Sequence, residues 1–252
     1  MIKKTVLITG SCGRIGSAIA NALFNNQNYN LILVDSNKTK LNEQKKKFNN
    51  NSTKFLLINL NSKKNIDLLF IRSLKFFKRI DTVIHCAYPK SKGWGTRFEL
   101  LKENFLKEDL FNHIGITIIF CQKILKHFLK FKSGNLILIS SVQGVQSPKF
   151  DHYSGLNMSS PIEYSAIKSG IISISKYLAK YYKKKNIRIN CVSPGGIEDN
   201  QPKKFKSRYN NSCTSKGLLS GQDISNTILF LISKESEFIN GQNIVVDDGW
   251  SL

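Results

Sequence analysis

A short apolar run that leads directly into a glycine-rich turn is the feature that most constrains the fold of this chain. Residues 5–8 are typical of a buried strand, and Gly10, Gly13 and Gly16 follow at three-residue spacing. Residues 17–24 are then apolar at helical spacing. This order predicts a strand, a tight turn and a helix whose free N–H groups bind the phosphates of a dinucleotide.

A carboxylate closes the next strand pattern. Residues 30–34 form a strand pattern in which every residue after Asn30 is apolar, and Asp35 follows them. A carboxylate at this point is placed to accept hydrogen bonds from the adenosine ribose and repels a 2′-phosphate, which favours NAD over NADP. Arg14, at the mouth of the glycine turn, is a cation that would attract a 2′-phosphate, so NADP stays an alternative cofactor. Asp35 is otherwise an ordinary strand-end turn residue.

Strand and helix patterns alternate along the rest of the chain. Further strand patterns cover residues 55–60, 82–85, 135–139, 188–192 and 243–246, and helix patterns cover residues 64–77, about 108–128, about 161–182 and 223–233. Such alternation requires parallel pairing through right-handed crossovers. We therefore predict a single α/β Rossmann domain over residues 1–252, with a doubly wound, mainly parallel seven-stranded sheet and helices on both faces.

The charge of the chain is strongly positive. Lys and Arg total 38 against 17 Asp and Glu, which gives a formal net charge of +21. Nucleic-acid binding is one interpretation, and it predicts association that depends steeply on salt. Lys rather than Arg supplies most of the excess, however, and the lysines are scattered along the chain. We therefore interpret the charge as a compositional bias and predict no nucleic-acid partner.

Cysteine, histidine and apolar patterns exclude several other classes. The five cysteines are widely spaced without a CxxC pair, and the four histidines lack ligand spacing. These patterns argue against a disulfide framework and a metal site. The apolar run after the N-terminal lysines is too short for a signal-peptide core, and the chain contains no membrane-length apolar stretch. We predict a cytoplasmic protein with no bound metal and no membrane contact.

Tyr164 and Lys168 form a candidate proton-transfer pair. They lie four residues apart in a helix pattern and so share one helical face. A phenol titrates near pH 10 and needs a fixed cation to exchange protons at neutral pH. The alternative is that Tyr164 covers the core and Lys168 is a solvated surface charge.

Several polar or small residues follow the ends of the predicted strands, where parallel sheets bind ligands. Asn112 is a further candidate because its amide lies in an apolar helix pattern. Each of them also fits an ordinary cap or turn. The strand-end candidates are Asn59, Ala87, Ser140, Ser141, Pro194 and Gly195.

In this order the motifs resemble the short-chain dehydrogenase/reductase family, and the match runs from Thr9 to Trp250. The matching motifs are the glycine turn, the acidic end of the second strand, Asn112-x-x-Gly115, Ile139-Ser140-Ser141, Tyr164-x-x-x-Lys168 and Asn190-x-x-x-Pro194-Gly195. The resemblance implies an oxidoreductase that transfers hydride between a nicotinamide and a carbonyl or secondary alcohol. It also implies a homodimer or homotetramer paired through the two long helices.

The resemblance also implies residue roles. Ser141 would orient the substrate carbonyl, Tyr164 would exchange the proton, and Asn112 would position a water. Lys168 would lower the pKa of Tyr164 and hold the nicotinamide ribose. The cofactor contacts implied are Gly10, Gly13, Arg14, Ile15, Gly16, Asp35, Asn59, Leu60, Ala87, Tyr164, Lys168, Pro194, Gly195 and Ile197.

Three departures from the family pattern limit this transfer. The glycines have the G-x-x-G-x-x-G spacing of the longer sugar-nucleotide branch, and residues 85–88 are His-Cys-Ala-Tyr where the single-domain branch has Asn-Asn-Ala-Gly. Ser141 and Tyr164 are also farther apart than in typical members. We therefore predict an inserted loop over residues 145–160 beside the active site and a substrate loop over residues 196–217.

The insertion and the end of the chain, Asp247 to Trp250, resemble the subgroup that acts in bacterial flagellin modification and nonulosonic acid synthesis. That resemblance implies a sugar or sugar phosphate as substrate. The basic run Lys203 to Arg208 fits an anionic substrate, although it also fits a solvated surface loop. The alternatives are a 3-ketoacyl carrier-protein reductase and, as a non-enzyme, an NAD-sensing regulator with the same fold.

Overall fold

A computed structural model describes residues 3–252 of this chain. The strands are β1 Lys4–Thr9, β2 Tyr29–Asp35, β3 Thr53–Leu57, β4 Thr82–His85, β5 Gly134–Ile139, β6 Ile187–Pro194 and β7 Asn243–Val246. The α-helices are α1 Arg14–Asn26, α2 Lys38–Lys47, α3 Lys63–Phe76, α4 Glu103–Leu110, α5 Ile116–Lys130, α6 Ile162–Tyr181, α7 Lys203–Asn210 and α8 Gly221–Ile232.

The strands form one parallel sheet in the order β3-β2-β1-β4-β5-β6-β7. Val6 of β1 is in register with Leu31 of β2 on one side and with Thr82 of β4 on the other. The chain order therefore reverses between β1 and β4, which is where doubly wound sheets bind ligands. The predicted seven-stranded α/β domain is confirmed, and every strand pair is parallel.

Alternation along the strands divides the core into two layers. Val6 and Ile8 of β1 pack with α1 and α8, whereas Leu7 packs with α3, α5 and α6 on the opposite face. All three of these β1 side chains are fully buried. Because both faces are covered, the strands read as continuous apolar runs, which is typical of parallel sheets.

Predicted and observed bounds differ in several elements, most clearly in β3 and in the helix predicted near residues 108–128. Strand β3 ends at Leu57 rather than at residue 60, because its partner β2 ends at Asp35, opposite Leu57. The helix predicted near residues 108–128 begins at Glu103 as α4 and continues as α5. A π-helical turn at Phe111–Gly115 separates these two helices.

Both predicted loops contain helical structure. Lys203–Asn210 forms α7 because Phe205 and Tyr209, four residues apart, bury one face of it against Trp250. The 145–160 segment includes a 3-10 turn at Phe150–Tyr153.

Within residues 3–252, no helix combines the length and the apolar content that crossing a bilayer requires. The same part of the chain contains no group of three or more His, Cys, Asp or Glu side chains arranged to hold a metal ion.

Candidate active site

A cavity of about 680 Å³ runs along the carboxyl ends of the strands. It extends from the glycine turn after β1, past the ends of β4 and β5, to the segment that follows β6. Its walls include nearly all of the sequence-predicted site residues. These are Gly10, Gly13, Arg14, Ile15, Gly16, Asp35, Asn59, Leu60, Ala87, Ser141, Tyr164, Lys168, Pro194, Gly195 and Ile197.

The glycine turn is shaped by close backbone packing. Gly10 has a φ of +63°, and a Cβ atom there would lie 2.6 Å from the carbonyl oxygen of Cys86. This left-handed conformation and close approach favour glycine strongly. Gly13 precedes α1, and no side chain in the described part of the protein caps the helix. The first N–H groups of α1 are therefore placed to bind an anion in the cavity.

Asp35 lies at the end of β2 and lines the same cavity. Its carboxylate accepts hydrogen bonds from the backbone N–H groups of Cys12 and Asn37, each at 2.9 Å. These contacts fix the carboxylate beside the glycine turn. Arg14, the cation that argued for NADP, forms an ion pair with Asp199 in the segment after β6.

Helix α6 carries Tyr164 and Lys168 one turn apart, as the sequence predicts. Lys168 is only 7% exposed, and its Nζ donates a hydrogen bond to the carbonyl oxygen of Ile139 at 3.0 Å. The same Nζ lies 5.6 Å from the centroid of the Tyr164 ring. Lys168 is thus a buried cation beside the phenol, and the alternative of a solvated surface lysine is wrong.

Burial governs the titration of this pair in the structure. Loss of water lowers the pKa of Lys168 to about 8. Burial raises the pKa of the Tyr164 phenol, and hydrogen bonding with Ser141 opposes that rise. The sequence-based expectation was that Lys168 lowers the Tyr164 pKa. Desolvation is the largest influence on the phenol in this structure, so the net shift of its pKa is upward. The effect of Lys168 on the Tyr164 pKa stays a prediction.

The two serines at the end of β5 have different surroundings. Ser140 donates its hydroxyl hydrogen bond to the backbone carbonyl of Lys168 at 2.7 Å and thereby ties β5 to α6. The Ser141 hydroxyl accepts a hydrogen bond from the backbone N–H of Gln143, and its interaction with Tyr164 acts to lower the pKa of that phenol. Of the two, Ser141 is therefore the one that faces the phenol.

Asn112 is the one predicted site residue outside the cavity wall. It lies half-buried in the π-helical turn between α4 and α5. Its neighbour His113 is buried instead, donates a hydrogen bond from Nε2 to the carbonyl oxygen of Pro89 at 2.8 Å, and packs 5.2 Å from the Tyr88 ring. The role of Asn112 in a proton relay stays a prediction.

Sequence reasoning missed most of the aromatic lining. It noted Tyr88 only as a departure from a family motif, although the Tyr88 ring lies 5.9 Å from that of Tyr164. The presence of Tyr where the family motif has Gly was the sequence signal that could have identified Tyr88 as a lining residue. Most of the remaining missed residues come from the insertion, α7 and the end of the chain, whose spatial convergence the sequence does not reveal. The lining residues missed include Tyr88, Lys90, Tyr153, Met158, Phe205, Tyr209 and Trp250.

Comparison with known proteins agrees with this geometry. A family model described as enoyl-(acyl carrier protein) reductase matches residues 13–251. The chain is also 38% identical to the post-translational flagellin modification protein A of Campylobacter coli, over 99% of this chain and 98% of that protein. The chain belongs to the short-chain dehydrogenase/reductase family. As a member of this family it is an oxidoreductase.

More distant relatives share the whole length of the chain. A 3-oxoacyl-(acyl-carrier-protein) reductase of Chlamydia trachomatis is 27% identical over 99% of this chain and 98% of its own. A short-chain dehydrogenase structure from Leptospira borgpetersenii with bound NAD+ is 27% identical, with a TM-score of 0.88 over 99% of this chain and 93% of that chain. A 4-hydroxyisoleucine dehydrogenase complexed with NADH is 25% identical, with a TM-score of 0.85 over 98% of both chains.

Proposed function

We propose that this protein is an NAD-dependent dehydrogenase or reductase that acts on a secondary alcohol or ketone of a carbohydrate. The observation that carries the proposal is the convergence of Ser141, Tyr164 and Lys168 on one cavity that begins at the glycine turn. A phenol, a hydroxyl and a buried ammonium at the end of a dinucleotide-shaped cavity fit hydride transfer coupled to proton transfer.

The residues in the cavity fit a dinucleotide. The uncapped start of α1 offers N–H groups to a pyrophosphate, and Gly10 lets the backbone approach it. The Asp35 carboxylate is placed for the adenosine ribose hydroxyls and favours NAD over NADP. The backbone around Gly195 and Ile197 would meet the nicotinamide end. When bound, the nicotinamide supplies or accepts the hydride.

The chain's own residues would handle the proton. Ser141 and Tyr164 would donate hydrogen bonds to the substrate oxygen, where negative charge develops during reduction. Tyr164 would give the proton in reduction and take it in oxidation. Lys168, fixed by the Ile139 carbonyl, would hold positive charge beside the phenol and offset the effect of burial on its ionised form.

A carbohydrate substrate is supported by the flagellin modification relative, which is the most similar of the proteins compared above. The rings of Tyr88 and Tyr153 on the cavity wall also suit a sugar ring, because C–H faces pack against aromatic rings. We further propose that the insertion at residues 145–160 and the segment 196–217 form the substrate end of the cavity. Tyr153 of the insertion and Tyr209 of α7 both line it.

The test is turnover by wild type and by Tyr164→Phe. NADH formation and consumption are followed with panels of amino sugars, sugar phosphates and their keto derivatives. We expect wild-type turnover with at least one member, and a loss of at least about a hundredfold in kcat for Tyr164→Phe, because general acid–base catalysis contributes that much. NAD binding, measured by calorimetry, should be retained. Undiminished turnover in the variant would contradict the mechanism.

A 3-ketoacyl carrier-protein reductase is the second candidate, favoured by the name of the Chlamydia relative. A ketoacyl thioester assayed beside the sugar panel separates the two. Faster NADH oxidation with the thioester would favour the second candidate. The third hypothesis is an NAD-sensing regulator. It predicts that the protein binds NAD but turns over none of the substrates tested.

A further inference from the structure

Tyr88 places an aromatic ring where the single-domain members of this family have glycine. It follows β4 and is 40% exposed on the cavity wall. Its ring contacts those of Tyr164 and Trp94 edge-on, with centroids 5.9 Å and 5.3 Å away. Tyr88 thus forms a wall directly beside the proton-transfer residue.

Lys90 lies two residues farther along and also lines the cavity. Its Nζ is 5.3 Å from the centroid of the Tyr88 ring, so the ring holds the ammonium at the cavity wall. The side chain is exposed. Among residues 3–252, no carboxylate lies within 4 Å of Lys90 Nζ. Its charge is therefore available to an anion in the cavity.

The other charged side chains of the cavity wall either have a partner within the protein or lie at the adenosine end of the cavity. Arg14 is paired with Asp199, and Lys168 donates to the Ile139 carbonyl. Lys40 and Asp35 lie at the adenosine end, near the end of β2. Within the described chain, Asp35 is the only acidic residue on the wall. The reacting end of the cavity is therefore cationic.

Two carboxylates do lie close to Tyr88 without reaching the cavity. Asp109 and Glu163 are each 1% exposed and are not part of the wall. Asp109 accepts hydrogen bonds from the backbone N–H and the hydroxyl of Ser91. These carboxylates therefore do not neutralise Lys90 by direct contact.

The basic side chains of α7 do not line the cavity. Lys206 pairs with Glu198 at 3.0 Å, and Arg208 donates to the carbonyl of Ser154 at 2.6 Å. Lys203 and Lys204 do not line the cavity. The expectation of an anion site there is therefore not supported by the positions of these four side chains.

We infer that Lys90 binds an anionic group of the substrate, a carboxylate or a phosphate, while the Tyr88 ring packs against the substrate's apolar face. The inference rests on the proposed function, since it concerns the same cavity. It assigns Lys90 as a specificity-determining residue. A charge-assisted contact at this position discriminates anionic substrates from neutral ones.

The test is binding of glucose, glucuronate and glucose 6-phosphate by calorimetry to protein saturated with NAD+, which fills the cofactor's phosphate site. The three probes share one ring and differ in the group at C6. We expect wild type to bind at least one charged probe about tenfold more tightly than glucose. Lys90→Ala should remove this preference, Lys90→Arg should keep most of it, and the matched variant Lys92→Ala, whose side chain lies off the cavity wall, should leave it unchanged.

The outcomes also separate carboxylate from phosphate and this inference from the proposed function. Preference for glucuronate alone indicates a carboxylate, and preference for glucose 6-phosphate alone indicates a phosphate. A wild type without anion preference, or one whose preference survives Lys90→Ala, overturns the inference even where turnover is seen. If the protein turns over no carbohydrate but still shows an anion preference that Lys90→Ala removes, the anion site is supported and the proposed function is rejected.

Discussion

Lys168 shows how burial sets the charge of one side chain at the candidate site. Among residues 3–252 its ammonium donates to one backbone acceptor, the carbonyl oxygen of Ile139, and it has little access to water. These surroundings lower its pKa from 10.5 to about 8. Between about pH 8 and 10.5, Lys168 is protonated in the unfolded chain but deprotonated in the folded protein. The free energy of unfolding therefore rises with pH in that window.

Replacing Lys168 with Met tests this linkage. Above pH 8 the wild type sheds its buried charge, so its free energy of unfolding should rise relative to that of the variant, by up to about 3 kcal/mol by pH 10.5. Urea unfolding of the cofactor-free proteins at pH 7, 8, 9 and 10 measures the difference. Lys176→Met, at an exposed position on the same helix, is the control and should show no such trend. A pH-independent difference for Lys168→Met would contradict the lowered pKa.

At the scale of elements, α7 and the insertion form one packed unit. Arg208 of α7 donates hydrogen bonds to the backbone carbonyls of His152 and Ser154. The Tyr153 ring packs 5.2 Å from that of Phe205. The two segments are far apart in sequence, yet they share an aromatic cluster and a guanidinium bridge.

Replacing Arg208 with Met should loosen the insertion. Without the guanidinium, the carbonyls of residues 152 and 154 lose their donor, so backbone amides of residues 150–156 should exchange hydrogen about tenfold faster, which corresponds to roughly 1.4 kcal/mol. Hydrogen exchange followed by mass spectrometry measures this. Lys203→Met, at an exposed position at the start of the same helix, is the matched control. Equal exchange in both variants would show that the aromatic contacts alone hold the segment.

How far the sequence predicted each element depended on whether the element carries a local pattern. Strands β4 and β7 match their predicted bounds because apolar runs define them. Helix α7 was missed because only Phe205 and Tyr209 mark its buried face among many charges. The π-helical turn within the long helix has no local signal, since its neighbours on both sides are ordinary helical residues.

At the scale of the whole molecule, α5 and α6 leave apolar and aromatic side chains on the surface. Ile118 of α5 and Ile162, Tyr177 and Tyr181 of α6 are all at least 43% exposed. Tyr177 and Tyr181 stack on each other with centroids 6.0 Å apart. Exposed apolar groups on neighbouring helices indicate an association surface. We therefore retain the prediction of a homodimer or homotetramer paired through these helices.

Light scattering coupled to size-exclusion chromatography tests this prediction. Wild type should elute with the mass of two or four chains. The double variant Tyr177→Glu and Tyr181→Glu should shift toward the mass of one chain, because it places charges in the pairing surface. Phe238→Ser, which removes a 95% exposed aromatic residue outside α5 and α6, is the control and should keep the wild-type mass. A monomeric wild type would refute the prediction.

The candidate site was predictable to the extent that its residues lie in local motifs. The glycine turn, Asp35 and the Tyr164–Lys168 pair were found because each is set by short-range spacing. The aromatic part of the cavity wall was not predicted, because Tyr88, Tyr153, Tyr209 and Trp250 come from four separate segments and meet only through the folded topology. Asn112 shows the converse, since a sequence motif marked it and the structure leaves it off the cavity wall.

A small apolar cluster beside α7 is separate from the two layers that cover the sheet. Its buried members are Val142, Phe205, Tyr209, Leu218 and Trp250. Substitutions there would change the shape offered to a ligand while the packing that maintains the Rossmann framework stays intact. The members of this cluster that line the cavity, Val142, Phe205, Tyr209 and Trp250, are therefore the positions at which laboratory selection for a new substrate would best begin.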